Sequence, residues 1–393
     1  MTLIAKYLLD PPPAHIAYGM TPLLLPPANL LDHIPRKILD MSESSSSAGA
    51  VSSPPVALIT GAASGMGLAL TRHLVLVKGW RVAMCDVNAA IGENESRKLN
   101  TATGTSSAHS SNADANNNSP TQQRTIFRKV DITSYAQQAA FFKEVFEWSG
   151  GHIDYFAANA GIMDVGSLFE PIQRMKFDAT TDVPVPPSTL PVDVNFRAVL
   201  EGIWLYRYFH GQRKRAEKGQ PPRGRITVTG SSSGLYPFHG QVQYSATKHA
   251  VVGVVRSSAV PLRRENISIN ALAPSFVATG LLPAQFLRDW PKEHMVSMDN
   301  VLRTHDMFID DGAGERWDGV VGRETATDKS RPRKAGSMMT GEIVELSQED
   351  MFFRRPVAYP NESQRWLNED SAKYFRDIER QKVELNKARE AKL

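Results

Sequence analysis

Cysteine and long hydrophobic runs are both scarce in this sequence. Cys85 is the only cysteine among 393 residues, which excludes an intrachain disulfide framework and is typical of a reducing compartment such as the cytoplasm. No apolar run approaches the roughly 18 residues that a membrane-spanning helix requires. The sequence therefore predicts neither a disulfide-stabilised domain nor a protein that crosses a membrane.

An excess of charge of one sign is also missing. The chain has 45 basic and 41 acidic residues and a formal net charge of +4, which gives no reason to expect a nucleic-acid partner. Repeats at solenoid spacing are absent as well. The hydrophobic content of 41% suffices for one sizeable core, and α/β domains commonly reach about 250 residues as one unit.

The two ends of the chain differ in composition from the middle. Residues 1–54 are rich in proline and serine, which predicts a disordered tail, and they lack the basic start of a secretory signal. Residues 351–393 are predicted to form a charged helical tail. This tail ends in Ala391-Lys392-Leu393, which resembles the SKL-type peroxisomal address. A chance match at the end of a basic helix is an equal alternative, so the localisation is cytoplasmic or peroxisomal.

A glycine-rich turn between a strand and a helix is the first motif that indicates chemistry. Three glycines in Pro55–Leu70 have the spacing TGxxxGxG, and they let the backbone turn tightly and approach a pyrophosphate without Cβ obstruction. The N-terminus of the following helix offers free N–H groups to the phosphates. The residues predicted to bind a dinucleotide here are Gly61, Ser64, Gly65, Met66 and Gly67.

An acid ends the next predicted strand. Asp86 lies twenty-five residues after Gly61, where a carboxylate accepts both ribose hydroxyls of NAD and repels the 2′-phosphate of NADP. Position 64 is serine rather than arginine or lysine, so no loop cation compensates for a phosphate. The pattern favours NAD over NADP, with a solvated strand-end aspartate as the alternative.

Two later strand ends are predicted to contact the same cofactor. The third strand is followed by Asp131 and Ile132, which are expected near the adenine. The fourth is followed by Asn159, Ala160 and Gly161, whose small side chains let the chain pass close to the nicotinamide ribose. Ligands of open α/β sheets bind at the carboxyl ends of the strands, so both positions suit a dinucleotide.

Several segments are predicted to be insertions or covers. Residues 88–124 are rich in serine, asparagine and threonine, which predicts a disordered surface insertion, and a proline-rich insertion covers residues 171–191. Residues 280–310 carry leucine, phenylalanine, tryptophan and methionine and are predicted to form a substrate lid. The loop expected to close over the nicotinamide contributes Pro274, Val277 and Thr279.

The stretch SSSGLYPFHGQVQYSATK contains the candidate catalytic groups. Tyr244 and Lys248 are four residues apart, so on a helix they share a face, and the ammonium is expected to lower the pKa of the phenol. Ser231, at the end of a strand, is predicted to donate to the same substrate oxygen. Asn195 lies inside a predicted helix, where asparagine is unfavourable, and its carbonyl is expected to hold a water beside Lys248. Alternatively, YxxxK arises by chance on many helices, and Asn195 is a polar surface residue.

Together these motifs resemble the short-chain dehydrogenase/reductase family over roughly residues 55–280. The resemblance implies a Rossmann-type, doubly wound parallel sheet of about seven strands, in one catalytic domain covering residues 55–350. It also implies a catalytic tetrad, no metal, and homodimers or homotetramers formed through the helices after strands four and five. The tetrad consists of Asn195, Ser231, Tyr244 and Lys248.

Within the family, GLYPFHGQVQYSATKHAVVG resembles the NAD-dependent 15-hydroxyprostaglandin dehydrogenase branch. This resemblance implies that Gln241 helps to hold the substrate hydroxyl. Pro274-Ser275 departs from the usual Pro-Gly, and the insertions leave the pocket largely unassigned. Five apolar side chains are predicted to line a lipid-like or aromatic substrate. They are Leu235, Tyr236, Phe238, Phe276 and Leu281.

The predicted function is NAD-dependent interconversion of a secondary alcohol and a ketone by hydride transfer. Tyr244 is the expected general base or acid, and Ser231 is expected to polarise the reacting oxygen. One alternative is an NADPH-dependent carbonyl reductase of the same fold, against which Asp86 argues. The other is a non-catalytic dinucleotide-binding scaffold, which would not require Tyr244 and Lys248.

Overall fold

A computed structural model describes residues 53–104, 123–213, 223–281, 284–311 and 338–371. In these ranges one eight-stranded sheet is covered by helices on both faces. No helix in the described ranges is both long and apolar enough to cross a membrane. The predicted N-terminal tail up to residue 52, residues 105–122 of the predicted insertion and the terminal tripeptide lie outside them.

The first half of the fold alternates strands with helices. The elements are β1 (Val56–Thr60), α1 (Gly65–Leu76), β2 (Arg81–Asp86), α2 (Ala89–Ala102), β3 (Thr125–Lys129) and α3 (Tyr135–Ser149). All five residues of β1 are buried, as expected for a parallel strand that is covered on both faces. The apolar runs of the sequence therefore become central strands.

The second half continues the alternation and then adds an antiparallel edge. Its elements are β4 (Tyr155–Ala158), α4 (Ala198–Gln212), β5 (Gly224–Thr229), α5 (Val242–Arg264), β6 (Ile267–Pro274), α6 (Ala284–Asp289), α7 (Met298–Ile309), β7 (Ile343–Ser347), β8 (Asp350–Phe353) and α8 (Glu362–Glu369). A π-helical turn, Asp193–Arg197, leads into α4.

The strand order places a crevice at the middle of the sheet. The order is β3-β2-β1-β4-β5-β6-β7-β8, and every pairing is parallel except that of β7 with β8. The chain reverses its direction of progress between β1 and β4, which is the switch point where doubly wound sheets bind ligands. The predicted doubly wound sheet is confirmed, with eight strands rather than about seven.

The prediction of a disordered insertion from residue 88 is wrong for its first part. Residues 89–102 form α2, which the Asn88 side chain caps by accepting from the Ile91 N–H at 3.2 Å. Gly92 packs directly against the ring of Phe127, and a Cβ at position 92 would lie only 2.0 Å from a ring carbon. The polar composition concealed this helix, since close packing through a glycine leaves little apolar signal.

Two other predicted boundaries are also wrong. The segment 280–310 is not simply a lid, because α7 packs into the core and its His305 bonds to the buried hydroxyl of Tyr155 at 2.6 Å. The predicted helical tail from residue 351 overlaps β8, which extends the sheet. Both errors have the same cause, since alternating polar and apolar residues in these segments indicate amphipathic surfaces but not what covers them.

Because two histidines are buried, we expect the protein to lose stability in mild acid. Burial lowers the pKa of His305 to about 3, and Asp306 opposes this only partly; burial also lowers the pKa of His210 to about 4. Unfolded histidines titrate near 6.5, so below that pH the unfolded state binds more protons and stability falls with a slope of up to about 1.4 kcal/mol per pH unit per histidine.

Denaturant unfolding at a series of pH values from about 7.5 to about 5, which span the ordinary histidine pKa of about 6.5, measures how the free energy of unfolding depends on pH. His305→Phe is expected to flatten the slope, whereas the exposed His249, changed to Gln, serves as the matched control. An equal slope in all three proteins would contradict the prediction.

Candidate active site

The glycine-rich turn after β1 packs tightly against the loop after β4. Gly61 has a φ of +66°, and a Cβ at this position would lie 2.9 Å from the Cα of Ala160. A Cβ at Gly67 would lie 2.2 Å from the carbonyl oxygen of Gly61 and 2.6 Å from the Asn159 side-chain nitrogen. Only glycine fits at these two positions, which leaves the backbone at the crevice uncovered by side chains.

The start of α1 suits an anionic group. Ser64 precedes the helix in an extended conformation, its side chain makes no capping hydrogen bond, and the first turn of α1, which contains Met66, has no acidic residue. The first N–H groups of a helix lack intrahelical acceptors and favour phosphate. The uncovered turn and this helix end therefore fit the pyrophosphate of a dinucleotide.

Asp86 lies where the sequence predicts it, beside this turn at the end of β2. Its two carboxylate oxygens accept hydrogen bonds from the N–H groups of Ala63 and Asn88, both at 3.0 Å. These bonds orient the carboxylate while leaving further lone pairs for a ligand. Asp131 is exposed and its carboxylate accepts from Thr133 at 2.7 and 2.9 Å, so it is partly used within its own turn.

The loop after β4 is tied to β1. The hydroxyl of Thr60 accepts from the N–H groups of Asn159 and Ala160 at 3.0 and 3.1 Å. The Asn159 side chain also donates to the carbonyl of Thr60 at 3.1 Å. A Cβ at Gly161 would lie 3.2 Å from Asn195 Oδ1 and 3.4 Å from Lys248 Nζ. The predicted cofactor loop therefore adjoins two members of the predicted tetrad.

The other members meet on the same side of the sheet. Ser231 follows β5, and Tyr244 and Lys248 lie in the first two turns of α5; all three are buried. The Lys248 Nζ is 5.5 Å from the centre of the Tyr244 ring and donates to the carbonyl of Thr229 at 2.7 Å. The four predicted residues, separated by up to 53 positions in sequence, thus come together.

Burial shifts the pKa values of Lys248 and Tyr244 in the directions that favour their neutral forms. It lowers the pKa of Lys248 to about 8. It also raises the pKa of Tyr244, and a hydrogen bond with Ser231 acts in the opposite direction. The expected lowering of the phenol pKa by Lys248 is therefore not seen, because removal of both groups from water disfavours their charged forms.

Asn195 connects the loop after β4 to helix α5 through its side chain. It accepts from the N–H of Ile162 and donates to the carbonyl of the same residue, both at 2.8 Å. It also donates to the hydroxyl of Thr247 at 3.2 Å, on the helix that carries Lys248. The residue lies in the π-helical turn before α4 rather than in the regular helix predicted, and π-turns are frequent at functional sites.

Asp164 was not singled out from the sequence, although it touches the catalytic helix. Its carboxylate accepts from the N–H groups of Gln243 and Tyr244 at 3.1 and 2.6 Å. Its own N–H donates to Gln241 Oε1 at 2.9 Å, so this oxygen of the predicted substrate residue already has a partner. An acid that caps a helix eighty positions away leaves no local pattern.

We expect Asp164→Ala to lose about 1 kcal/mol of stability, as for other lost N-caps, and to reduce turnover because Tyr244 lies in the capped first turn of α5. Asp164→Asn is the matched variant, since asparagine also caps helices well and should retain most of both properties. Denaturant unfolding and initial-rate measurements give the two effects. Wild-type behaviour of Asp164→Ala would contradict this assignment.

The segment after β6 lies against the glycine-rich turn. A Cβ at Gly65 would be 3.2 Å from the Thr279 side chain. Two contacts hold this segment in place. One is an isolated β-bridge between Val277 and Val296, and the other is the stacking of Phe276 on Trp290, with 4.1 Å between ring centres. Within the described ranges, no group of three or more histidine, cysteine or acidic residues is arranged to bind a metal.

Comparison with known proteins identifies the family. The sequence model described as short chain dehydrogenase matches residues 102–289, which include the four predicted catalytic residues. The chain is 31% identical to the short-chain dehydrogenase/reductase prx6 of Penicillium rubens over 276 residues, covering 68% of this chain and 82% of that protein. The chain belongs to the short-chain dehydrogenase/reductase family. It is therefore an NAD(P)-dependent oxidoreductase of this family.

Two further relatives extend the comparison. This short-chain dehydrogenase is 27% identical over 230 residues to human 15-hydroxyprostaglandin dehydrogenase [NAD(+)], covering 58% of this chain and 70% of that enzyme. A 3-ketoacyl-(acyl-carrier-protein) reductase from Brucella melitensis, complexed with NADH, superimposes with a TM-score of 0.50 at 20% identity, covering 75% of this chain and 96% of that chain. The second similarity concerns the fold alone.

Proposed function

We propose that this protein interconverts a secondary alcohol and a ketone with NAD as cofactor. The observation that carries the proposal is the meeting of Ser231, Tyr244, Lys248 and Asn195 beside the glycine-rich turn. When bound, the dinucleotide supplies the acceptor for the hydride. The residues of the chain then have to bind the alcohol, orient it and remove its proton.

Each of the four side chains has a distinct role in this proposal. Ser231 donates a hydrogen bond to the reacting oxygen, and Tyr244 takes the hydroxyl proton as general base. Burial raises the pKa of Tyr244, and in this proposal the ammonium of Lys248, 5.5 Å from the centre of the ring, offsets part of that cost as the phenolate forms. Asn195 holds the loop after β4 against α5, which keeps Lys248 next to the cofactor loop.

The NAD preference rests on Asp86. Its carboxylate is oriented by two N–H donors at the end of β2, and a 2′-phosphate at this position would meet a like charge. We expect NAD⁺ to bind at least about tenfold more tightly than NADP⁺, a difference of about 1.4 kcal/mol. Asp86→Ala is expected to bring the two affinities close together.

Titration of the purified full chain with both dinucleotides measures this preference. Asp131→Ala is the companion variant. Asp131 is expected near the adenine, which both dinucleotides share, so its loss should weaken the binding of NAD⁺ and NADP⁺ alike. A wild-type preference for NADP⁺ would contradict the role of Asp86 and favour the reductase alternative. Binding of neither dinucleotide would contradict the proposed function itself.

The proposed substrate has an apolar body. Leu235 packs partly against the core and one face of Phe276 stacks on Trp290, so both side chains are partly used within the protein. Tyr236, Phe238 and Leu281 are each between 42% and 46% exposed, and in this proposal these three side chains supply the apolar surface that contacts the substrate. The similarity to an enzyme named for hydroxyprostaglandin supports the same class. Comparing the turnover of 2-decanol with that of 2-butanol tests the proposed apolar substrate. A preference for the shorter alcohol would contradict this proposal.

The proposed assembly is a homodimer or homotetramer. Leu200, Trp204 and Tyr208 are exposed at intervals of four residues along α4, so they form one apolar stripe on its outer face. Such a stripe on a surface helix is typical of a contact with another chain. Sedimentation equilibrium of the full chain measures the assembly, and a monomer at micromolar concentration would contradict it.

A further inference from the structure

A charged network joins the segment between β5 and α5 to the C-terminal edge of the sheet. The hydroxyl of Tyr236 donates to Glu345 Oε2 at 3.1 Å and accepts from Arg354 Nη2 at 2.8 Å. Arg354 Nε also donates to Glu345 Oε2. Three residues that are far apart in sequence therefore form a closed triangle.

The carboxylate in this triangle is buried. The Glu345 side chain is 7% exposed, whereas the Arg354 side chain is 28% exposed. A buried carboxylate needs its donors, because removal of one partner leaves a charge that neither water nor protein stabilises. Burial and the adjacent Glu345 raise the pKa of Tyr236, which keeps its hydroxyl protonated as a donor.

Arg354 is held rigidly by its backbone. Its N–H donates to the carbonyl of Ile343 at 2.8 Å, which continues the pairing of β8 with β7. Its own carbonyl accepts from Arg256 Nη2 at 3.0 Å, and Arg256 belongs to α5, the helix that carries Tyr244. The guanidinium therefore extends from a fixed point toward Tyr236.

The segment that this network holds begins and ends at the proposed active site. Ser231 starts it, and Gln241, which bonds to Asp164, ends it. Between these two residues, Gly234 packs against the backbone of Lys248. A Cβ at position 234 would lie 2.5 Å from the Lys248 carbonyl oxygen. Tyr236 is held by its hydroxyl while 46% of its surface remains exposed.

We propose that Arg354 and Glu345 are positioning residues that hold the Tyr236 ring as a fixed wall for the apolar part of the substrate. In this way Glu345 on β7 and Arg354 after β8 set the affinity for substrate without touching the reacting atoms. The proposal rests on the proposed function, since it takes the alcohol to react between Ser231 and Tyr244. It adds a role for residues outside the stretch that the family model matches.

The test compares two neighbouring arginines. Arg354→Met keeps an apolar stem and removes the donors to Glu345 and Tyr236. Arg355→Met is the matched control, because Arg355 also pairs with a glutamate of the same region, Glu342, at 3.5 Å but is more exposed. Tyr236→Phe keeps the ring and removes only the hydroxyl.

Initial rates with saturating NAD⁺ and either 2-decanol or 2-butanol give KM and kcat for each protein. For 2-decanol we expect Arg354→Met and Tyr236→Phe to raise KM about tenfold, as for loss of a hydrogen bond to a charged group, with kcat nearly unchanged. The smaller 2-butanol should show a smaller rise, and Arg355→Met should match wild type. Equal KM values in all four proteins, or a rise in Arg355→Met as large as in Arg354→Met, would overturn the proposal.

Hydrogen exchange of residues 231–241 in the full chain separates this proposal from the proposed function. Faster exchange there in Arg354→Met but not in Arg355→Met is expected, whichever alcohols are turned over. If wild type oxidises neither alcohol, the proposed function fails, and the exchange result alone decides whether Arg354 holds the segment. Unchanged exchange in Arg354→Met would overturn the positioning role.

Discussion

Tyr244→Phe is expected to lose turnover by a factor of about 10² to 10⁴, the range that general acid–base catalysis contributes, while it still binds NAD⁺. The ring of Tyr244 is buried, so phenylalanine should keep the packing. Only the hydroxyl, which bonds with Ser231, is removed. The loss should therefore appear in kcat, with little change in the melting temperature.

The same substitution at Tyr359 is the matched control. Tyr359 is exposed in the segment after β8 and touches none of the proposed site residues in the described contacts. Rates of NADH formation and NAD⁺ titrations on both variants separate chemistry from binding. A Tyr244→Phe protein with full turnover would contradict the assignment of Tyr244 as the general base.

Gly67→Ala is expected to abolish detectable dinucleotide binding and to destabilise the fold. The added Cβ would lie 2.2 Å from the carbonyl oxygen of Gly61 and 2.6 Å from the Asn159 side-chain nitrogen. Both distances are far inside van der Waals contact, so the turn and the loop after β4 have to separate. Overpacking of this kind typically costs about 1–3 kcal/mol, and the displaced backbone is the surface proposed to approach the pyrophosphate.

Gly211→Ala makes the same chemical change in open space. A Cβ at Gly211, in the last turn of α4, meets no atom within 4 Å, and alanine is the better helix former by roughly 0.5–1 kcal/mol. We therefore expect slightly higher stability and unchanged binding. Denaturant unfolding and NAD⁺ titration of both variants provide the comparison. Tight binding by Gly67→Ala would show that the turn does not approach the cofactor as proposed.

Local patterns in the sequence were sufficient for the central fold. The apolar runs predict β1 and β2, and the spacing of Gly61, Gly65 and Gly67 predicts the turn, because each signal lies within one strand–turn–helix unit. The pair Tyr244 and Lys248 was predicted from a helical interval alone. Family resemblance then predicted a doubly wound parallel sheet, and the structure and the relatives confirm both fold and family.

Non-local contacts account for most of what the sequence did not predict. Helix α2 was taken for a disordered insertion because its packing depends on Gly92 meeting Phe127 from another element. Helix α7 was taken for a lid because its polar His305 is satisfied by a tyrosine 150 positions away. Polar residues that find distant partners have the same local pattern as solvated ones.

The sequence by itself determined the family, the glycine-rich turn and the identities of the candidate catalytic residues. Only the tertiary structure decided how those residues are held. It assigned the cap of α5 to Asp164, eighty positions from Tyr244, and joined Tyr236 to Arg354 across 118 positions. The physical reason is that turns and helical intervals are set by neighbouring residues, whereas a buried charge or an uncapped helix end can be satisfied from any part of the chain that folding brings near.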